Sequence, residues 1–135
     1  MAGYSGTPLP KKLGIKPGHR VTMLGAPQGF LRTLGALPDD VAVRTDLRAR
    51  ELDVVLLFCP DAKTLRSKFA NAADKLASAG GLWICWPKKS SGIVTDITEA
   101  MVRQTGLDHG LVDNKICAVD DTWSGLRFVI RVENR

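Results

Sequence analysis

Apolar residues gather in short runs cut by glycine and proline, and two of those runs are continuous instead of alternating. Asp53–Cys59 (DVVLLFC), ended by Pro60, reads as a strand covered on both faces, the usual state of parallel strands, and Gly81–Trp86 (GLWICW), ended by Pro87, as another apolar strand. His19–Gly25 (HRVTMLG) predicts an earlier strand stopped by Gly25, Ala26 and Pro27. A short helix over 28–34 is expected next, weakened by Gly29, and Val41–Thr45 alternates as a short strand does. From Asp61 to Ser78 the apolar positions Leu65, Phe69, Ala72, Leu76 and Ala79 keep helical spacing, with Asp61 as N-cap and Gly80 as the stop. A second helix is capped by Thr95 or Asp96, since Asp96 and Glu99 have capping-box spacing, and it ends near Gly106. Asn114–Val119 and Leu126–Val132 form two last strands, and the loop Asp120–Gly125 between them has the composition of a hairpin. Leu126, Phe128, Ile130 and Val132 alternate with Arg127, Val129, Arg131 and Glu133, so one face of the last strand is core and the other is polar or partly covered.

This order predicts an α/β fold: a single Rossmann-like, mostly parallel sheet with a C-terminal antiparallel hairpin. The two longer helices belong on one face, which leaves an arginine-bearing face thinly covered. Gly and Pro punctuate the first eighteen residues, so the expected division is an N-terminal arm over 1–18 and the Rossmann-like body over 19–135. Tyr4, Ser5 and Thr7 give the arm hydroxyls with which to fold over the ligand edge, and the rival expectation is a disordered N-terminus.

The 135 residues, 44% hydrophobic and 24% charged, suit one domain with its own core. Nineteen Lys and Arg against fourteen Asp and Glu leave a charge of +5, which favours anionic partners without choosing among them. Cys59, Cys85 and Cys117 are far apart, lack Cys-x-x-Cys spacing and sit in apolar stretches, so they read as reduced core thiols. The N-terminus has no apolar block of a secretory signal and the longest apolar run is far too short to span a bilayer, so a cytoplasmic protein is expected.

The second half, DVVLLF, a helix, Gly80-Gly81 leading into LWICW, a helix and an antiparallel hairpin, resembles the distal half of a class I S-adenosylmethionine-dependent methyltransferase. The resemblance runs over roughly 21–132 and implies a truncated version of that topology. It departs at the first loop, where Gly25-Ala26-Pro27-Gln28-Gly29 replaces the family's Gly-x-Gly-x-Gly. The second strand ends Val43-Arg44-Thr45-Asp46, with Asp46 as the available acid for a ribose, and the gap from Thr45 to Asp53 has no room for the family's third strand and helix. The words GYSGTPL (Gly3–Leu9), WPKK (Trp86–Lys89), LVDNK (Leu111–Lys115) and DDTWSGL (Asp120–Leu126) resemble an uncharacterised bacterial family of short stand-alone proteins, a domain of unknown function. That resemblance implies a bacterial cytoplasmic protein and carries no catalytic residue.

In open α/β sheets ligands sit beyond the carboxyl ends of the strands. The candidate anion or ligand site there comprises Gly25 and Gly29 of the first loop, Trp86, Lys88, Lys89, Ser90 and Ser91, and Asp120, Asp121 and Trp123 of the hairpin. Two ammonium groups, two hydroxyls and a glycine-permitted backbone suit a phosphate or carboxylate, although a solvated loop has the same composition and the P-loop spacing is missing. Asp120 and Asp121 equally serve turn geometry, with Trp123 packing down as a lid. His19 and His109 are ninety residues apart, so neither is assigned to a metal or to catalysis; Cys59 closes a strand with no base in view. The leading expectation is a non-enzymatic module binding an anionic or nucleotide-type ligand, or a partner protein, at this edge. The alternatives are a diminished methyltransferase-like enzyme using an adenosyl or nucleotide ligand, and a basic nucleic-acid-associated protein. No metal and no membrane partner is expected, and the cofactor stays unknown.

Overall fold

A computed structural model of the chain describes residues 6–135. The continuous apolar runs become the central strands, β3 (Leu52–Phe58) and β4 (Leu76–Pro87), which pair in parallel. On the other side of β3 lies β1 (Arg20–Leu24), and beyond it the edge strand β2 (Ala42–Arg44), both parallel. β6 (Trp123–Ile130) returns antiparallel to β4 and pairs antiparallel with β5 (Leu111–Ala118). The sheet order is therefore β2-β1-β3-β4-β6-β5, mostly parallel with the expected antiparallel hairpin.

Each face of the sheet buries its own cluster. On one, α3 (Ala62–Asp74) and α4 (Glu99–Asp108) lay Leu65, Phe69, Ala72 and Val102 against Val55, Leu57, Leu82, Ile84 and Phe128. On the other, α2 (Phe30–Leu34) and the segment of α1 (Leu9–Lys12) cover Val54, Leu56, Phe58 and Trp83 with Phe30, Leu34, Leu13 and Ile15. Leu13 is fully buried, and its carbonyl accepts a 3.0 Å hydrogen bond from Nε1 of Trp83, so residues 9–15 are packed onto the sheet. The arginine-bearing face expected to be thinly covered is therefore roofed in part by this segment. Tyr4 and Ser5, proposed to reach the ligand edge, lie outside the described residues.

Four local expectations are corrected. The helix from Asp61 ends at Asp74 and not near Ser78: Leu76 pairs with Leu52 and opens β4, because the amide of Leu52 takes the carbonyl of Lys75. Its helical spacing with Leu65 and Ala72 is also strand spacing with Ser78 and Gly80, and the sheet wins. The α4 cap is Thr98, whose hydroxyl accepts from the Met101 amide; Asp96 is held elsewhere, by the Ala62 amide at 2.7 Å. Trp123, Ser124 and Gly125 belong to β6, which shortens the hairpin loop to 119–122. Val132 lies past the strand in a 3-10 turn and is 75% exposed, so it is not a core position.

One central position is imperfect. The Thr22 hydroxyl on β1 is fully buried and has no hydrogen-bond partner among the described residues. A buried hydroxyl left unpaired costs about 1–3 kcal/mol. Thr22→Val is expected to raise the unfolding free energy by about 1 kcal/mol or more in urea titration; a loss of stability would show that an internal water serves this hydroxyl.

Candidate functional site

Strand register brings the expected edge into existence. Leu24 stands level with Leu57, Phe58 with Cys85, and Pro87 with Trp123, so the ends of β1, β3 and β4 and the start of β6 share one rim. Chain order reverses between β1 and β3, since β1 leads out to β2 and the chain then returns to the far side of β1. This is the switch point where such sheets open a crevice.

At that switch point the first loop turns on two left-handed glycines, Gly25 (φ +67°) and Gly29 (φ +82°). A Cβ at Gly25 would stand 3.2 Å from the Phe58 carbonyl, so loop and β3 approach closely there. Gly29 borders an apolar cavity of about 370 Å³ with Met23, Phe30, Leu31 and Thr45. Beyond β2, Asp46 has one carboxylate oxygen on the Arg48 amide at 3.1 Å. The loop itself supplies fewer donors than a glycine-rich turn, because Pro27 has no N–H.

Beyond β4 a larger groove of about 760 Å³ opens between Trp86–Lys89 and the segment 93–100, with Ser124 of β6 on its wall. Its charges are unequal in availability. Asp96 accepts from the Ala62 amide, and Glu99 pairs with Arg103 at 3.1 Å. Lys88 and Lys89 have no ion-pair partner among the described residues, which leaves the groove with free positive charge. Ile93 and Val94 stand 46% and 95% exposed at its border, an apolar lip next to the ammonium groups.

Three of the expected residues, Trp86, Lys88 and Lys89, thus line one groove, while Gly29 lines another cavity. Ser91 is engaged locally: its hydroxyl donates to the Lys88 carbonyl at 2.6 Å and accepts from the Ile93 amide. Ser90 is exposed on the same turn and does not line the groove. Asp120 accepts from the amides of Thr122 and Trp123, both at 2.8 Å, and Asp121 is exposed. Trp123 stands edge-on to Phe58 with ring centroids 5.1 Å apart, and so belongs to the core beneath the rim. The hairpin still touches the lysine loop, through a 2.8 Å bond from the Lys88 amide to the Thr122 carbonyl.

The groove wall at 93–98 was missed in the sequence reading, which treated Thr95 and Asp96 only as helix caps. Their true partners are distant in sequence: Thr95 donates its hydroxyl to the Pro60 carbonyl at 2.8 Å, lacing the β4–α4 connection to the β3–α3 turn. The available signal was positional, because this segment is itself a strand-to-helix connection at the carboxyl edge.

The remaining reactive side chains have structural surroundings. Burial, reinforced by the nearby Asp61 charge, pushes the Cys59 thiol up to about 12, and burial holds Cys85 well above its ordinary value. Neither is a thiolate at neutral pH. His19 accepts from the Lys16 amide through Nδ1, and His109 leans on Phe69 with Nδ1 at 2.8 Å from the Thr105 carbonyl. No trio of His, Cys, Asp or Glu able to hold a metal ion occurs among the described residues, and none of their helices is long and apolar enough to cross a membrane.

No protein-family model matches the chain, and no curated protein matches it. Solved structures do. The chain is similar to a SAM-dependent methyltransferase from Aquifex aeolicus, with 16% identity over 90% of this chain and 87% of that one and a TM-score of 0.60. It is similar to a precorrin-6y C5,15-methyltransferase from Geobacter metallireducens, with 10% identity over 91% and 86% and a TM-score of 0.63. A TehB-like SAM-dependent methyltransferase from Corynebacterium glutamicum shares 12% identity over 85% and 82% with a TM-score of 0.56. At these identities the likeness establishes the fold, a Rossmann-like sheet of methyltransferase topology.

Proposed function

We propose that this chain is a diminished methyltransferase-like enzyme that holds an adenosyl or nucleotide-type ligand at the carboxyl edge of its sheet. The observation that carries this reading is the sheet order β2-β1-β3-β4-β6-β5, whose reversal between β1 and β3 sits directly under the Gly25–Gly29 loop. The SAM-dependent methyltransferases with which the fold is shared support the same assignment over the non-enzymatic module. Fold alone does not carry function; the residues must fit the ligand. Here Gly25 and Gly29 give the tight turn, Met23 and Phe30 an apolar bed, and Asp46 an acid for ribose hydroxyls, and these would hold the adenosyl group. A bound sulfonium donor of that kind supplies a methyl group.

The next groove along, with its two free lysines, then takes an anionic group of the second substrate. Residues 1–18 serve this body as an arm. The resemblance of four sequence words to an uncharacterised bacterial family supports a bacterial origin, and its location in the cytoplasm belongs to the same proposal.

One observation favours a pure binding module. Asp46, Asp61, Asp96 and Asp120 around the rim each accept from a backbone amide, so these four carboxylates are engaged by the fold and are weakened as bases. Asp61 is held below the ordinary carboxylate range by its bond from the Thr64 amide.

Calorimetry with S-adenosylmethionine and S-adenosylhomocysteine decides between them. The expected Kd is about 10⁻⁴ M, weak because the loop lacks donors. Asp46→Asn keeps the acceptor for Arg48 and removes the charge, so affinity is expected to fall about tenfold or more at an unchanged melting temperature. No heat with either compound at millimolar concentration returns the protein to the non-enzymatic module.

A further inference from the structure

A second site lies away from the carboxyl edge, on the sheet face roofed by residues 9–15. Lys11, Lys12, Lys115 and Arg127, with Asn114 and the backbone of Gly14, line a groove of about 230 Å³ between the arm and the β5–β6 hairpin. Two of its cations are fixed in place: Lys12 Nζ donates to the Ala118 carbonyl at 3.0 Å, and Lys115 Nζ donates to the Lys12 carbonyl at 2.9 Å. Each ammonium group keeps two further protons for a ligand.

Arg127 is the unusual member. Its side chain lies across Gly81 of β4 so closely that a Cβ at Gly81 would collide with Nε. A glycine inside a strand marks such a close approach. The guanidinium is half-buried, yet no carboxylate lies within ion-pair distance of it among the described residues. Buried charges are ordinarily paired, and burial together with the charge of Arg135 works against this one. The acid on the adjacent strand is committed elsewhere, Asp113 to Arg103 at 3.1 Å. Residues 1–5, Met-Ala-Gly-Tyr-Ser, contain no acid either.

The positive charge continues past the groove. Cys117 is raised by burial, and the ammonium groups of Lys12, Lys115 and Lys88 all pull it the other way, so these three surround it. Lys88 is tied to Thr122 at the start of the hairpin and Arg127 stands five residues along β6, a separation of roughly 15 Å at strand spacing. One phosphate occupies a single point; cations strung over that length match a repeating anion. The arm walls the groove on one side and β5 on the other, and the Lys115–Lys12 bond joins the two walls, so a ligand meets the cations along its mouth.

We propose that the groove between the arm and the β5–β6 hairpin binds the phosphodiester backbone of single-stranded nucleic acid, with Lys11, Lys12, Lys115 and Arg127 as the phosphate contacts. This surface reaches the carboxyl edge at Lys88 and stands without the adenosyl ligand.

The test is fluorescence anisotropy with labelled twelve-nucleotide oligo(dT) at several salt concentrations. Lys11→Gln, Lys115→Gln and Arg127→Gln combined are expected to lower affinity at least tenfold and to reduce the slope of log K against log salt by about 2, as three lost backbone contacts require. Lys63→Gln, Arg66→Gln and Lys68→Gln remove the same charge from exposed positions on α3, in the opposite layer, and are expected to leave binding within twofold. If the Arg127 change lowers the melting temperature, Lys11→Gln with Lys115→Gln, both exposed, carries the comparison with a slope change of about 1.4. Equal losses in both sets, absence of binding at low salt, duplex bound as tightly as single strand, or inorganic tripolyphosphate competing at equimolar concentration would each overturn the proposal.

Discussion

Replacing Trp83 with alanine is expected to remove about 3–5 kcal/mol of stability, the usual cost of deleting a large aromatic from a core. Trp83 is fully buried at the centre of β4, under the segment that joins α1 to β1. Its indole N–H reaches the Leu13 carbonyl at 3.0 Å, so the variant opens a cavity and orphans a buried carbonyl together. Trp83→Phe separates the two effects. It retains most of the ring volume and loses only the hydrogen bond, for which about 1–2 kcal/mol is expected. The arm should then loosen before the sheet does, since Leu13 and Ile15 have no other hydrogen bond to a β4 side chain among the described residues. Hydrogen exchange at Ile15, whose amide is bonded to the Pro10 carbonyl at 2.9 Å, reports this directly. Unchanged protection there in Trp83→Phe would falsify the role of Trp83 as a clamp. Loosening the arm also parts Lys12 from Lys115, so oligo(dT) binding is expected to weaken in the same variant, although neither lysine has been altered.

Which parts of this molecule are legible in its sequence follows from which interactions are local. β3 and the apolar part of β4 are unmistakable because burial on both faces demands uninterrupted apolar side chains, as in VVLLF and LWICW. Asp61 announces α3 because its cap bond, to Thr64, spans three residues. The errors fall where the deciding partner is remote. Leu76 is claimed by Leu52 across the sheet, and Asp96 by Ala62, thirty-four residues away. The arm shows the same limit: its glycines and prolines read as irregular chain, and its place in the core comes from remote partners such as Trp83, whose bond to Leu13 spans seventy residues. Of the candidate site, the lysine pair was readable from its place after a strand. The opposing wall at 93–98 was not, because the lacing through Thr95 and Pro60 leaves no periodic signature.

Lys88→Ala combined with Lys89→Ala is expected to leave the melting temperature within about 2 °C of the parent while removing anion binding from the β4–α4 groove. The first half follows from what these side chains do for the fold. Neither ammonium group makes an ion pair among the described residues, and surface substitutions of this kind stay within about 0.5 kcal/mol. The structural bonds of the loop, from the Lys88 amide to the Thr122 carbonyl and from Ser91 to the Lys88 carbonyl, use only the backbone of Lys88 and survive the change. The second half follows from the unequal commitment of the groove's charges. With Asp96 on the Ala62 amide and Glu99 on Arg103, the lysines are the cations left to meet an incoming phosphate or carboxylate. Each lost charge-assisted contact is worth about 1.5–3 kcal/mol, so affinity at this groove should fall by about a hundredfold or more for the pair. The readout has to be local, because the Lys11–Arg127 groove also takes anions. Amide shifts of Ile93 and Ile97, on titration with inorganic phosphate, report the β4–α4 groove, and that of Lys115 reports the other. In the double variant the first two are expected to stop responding and the third to continue. If all three respond as in the parent, Lys88 and Lys89 are solvated side chains only, and the anionic second substrate loses its binding groups.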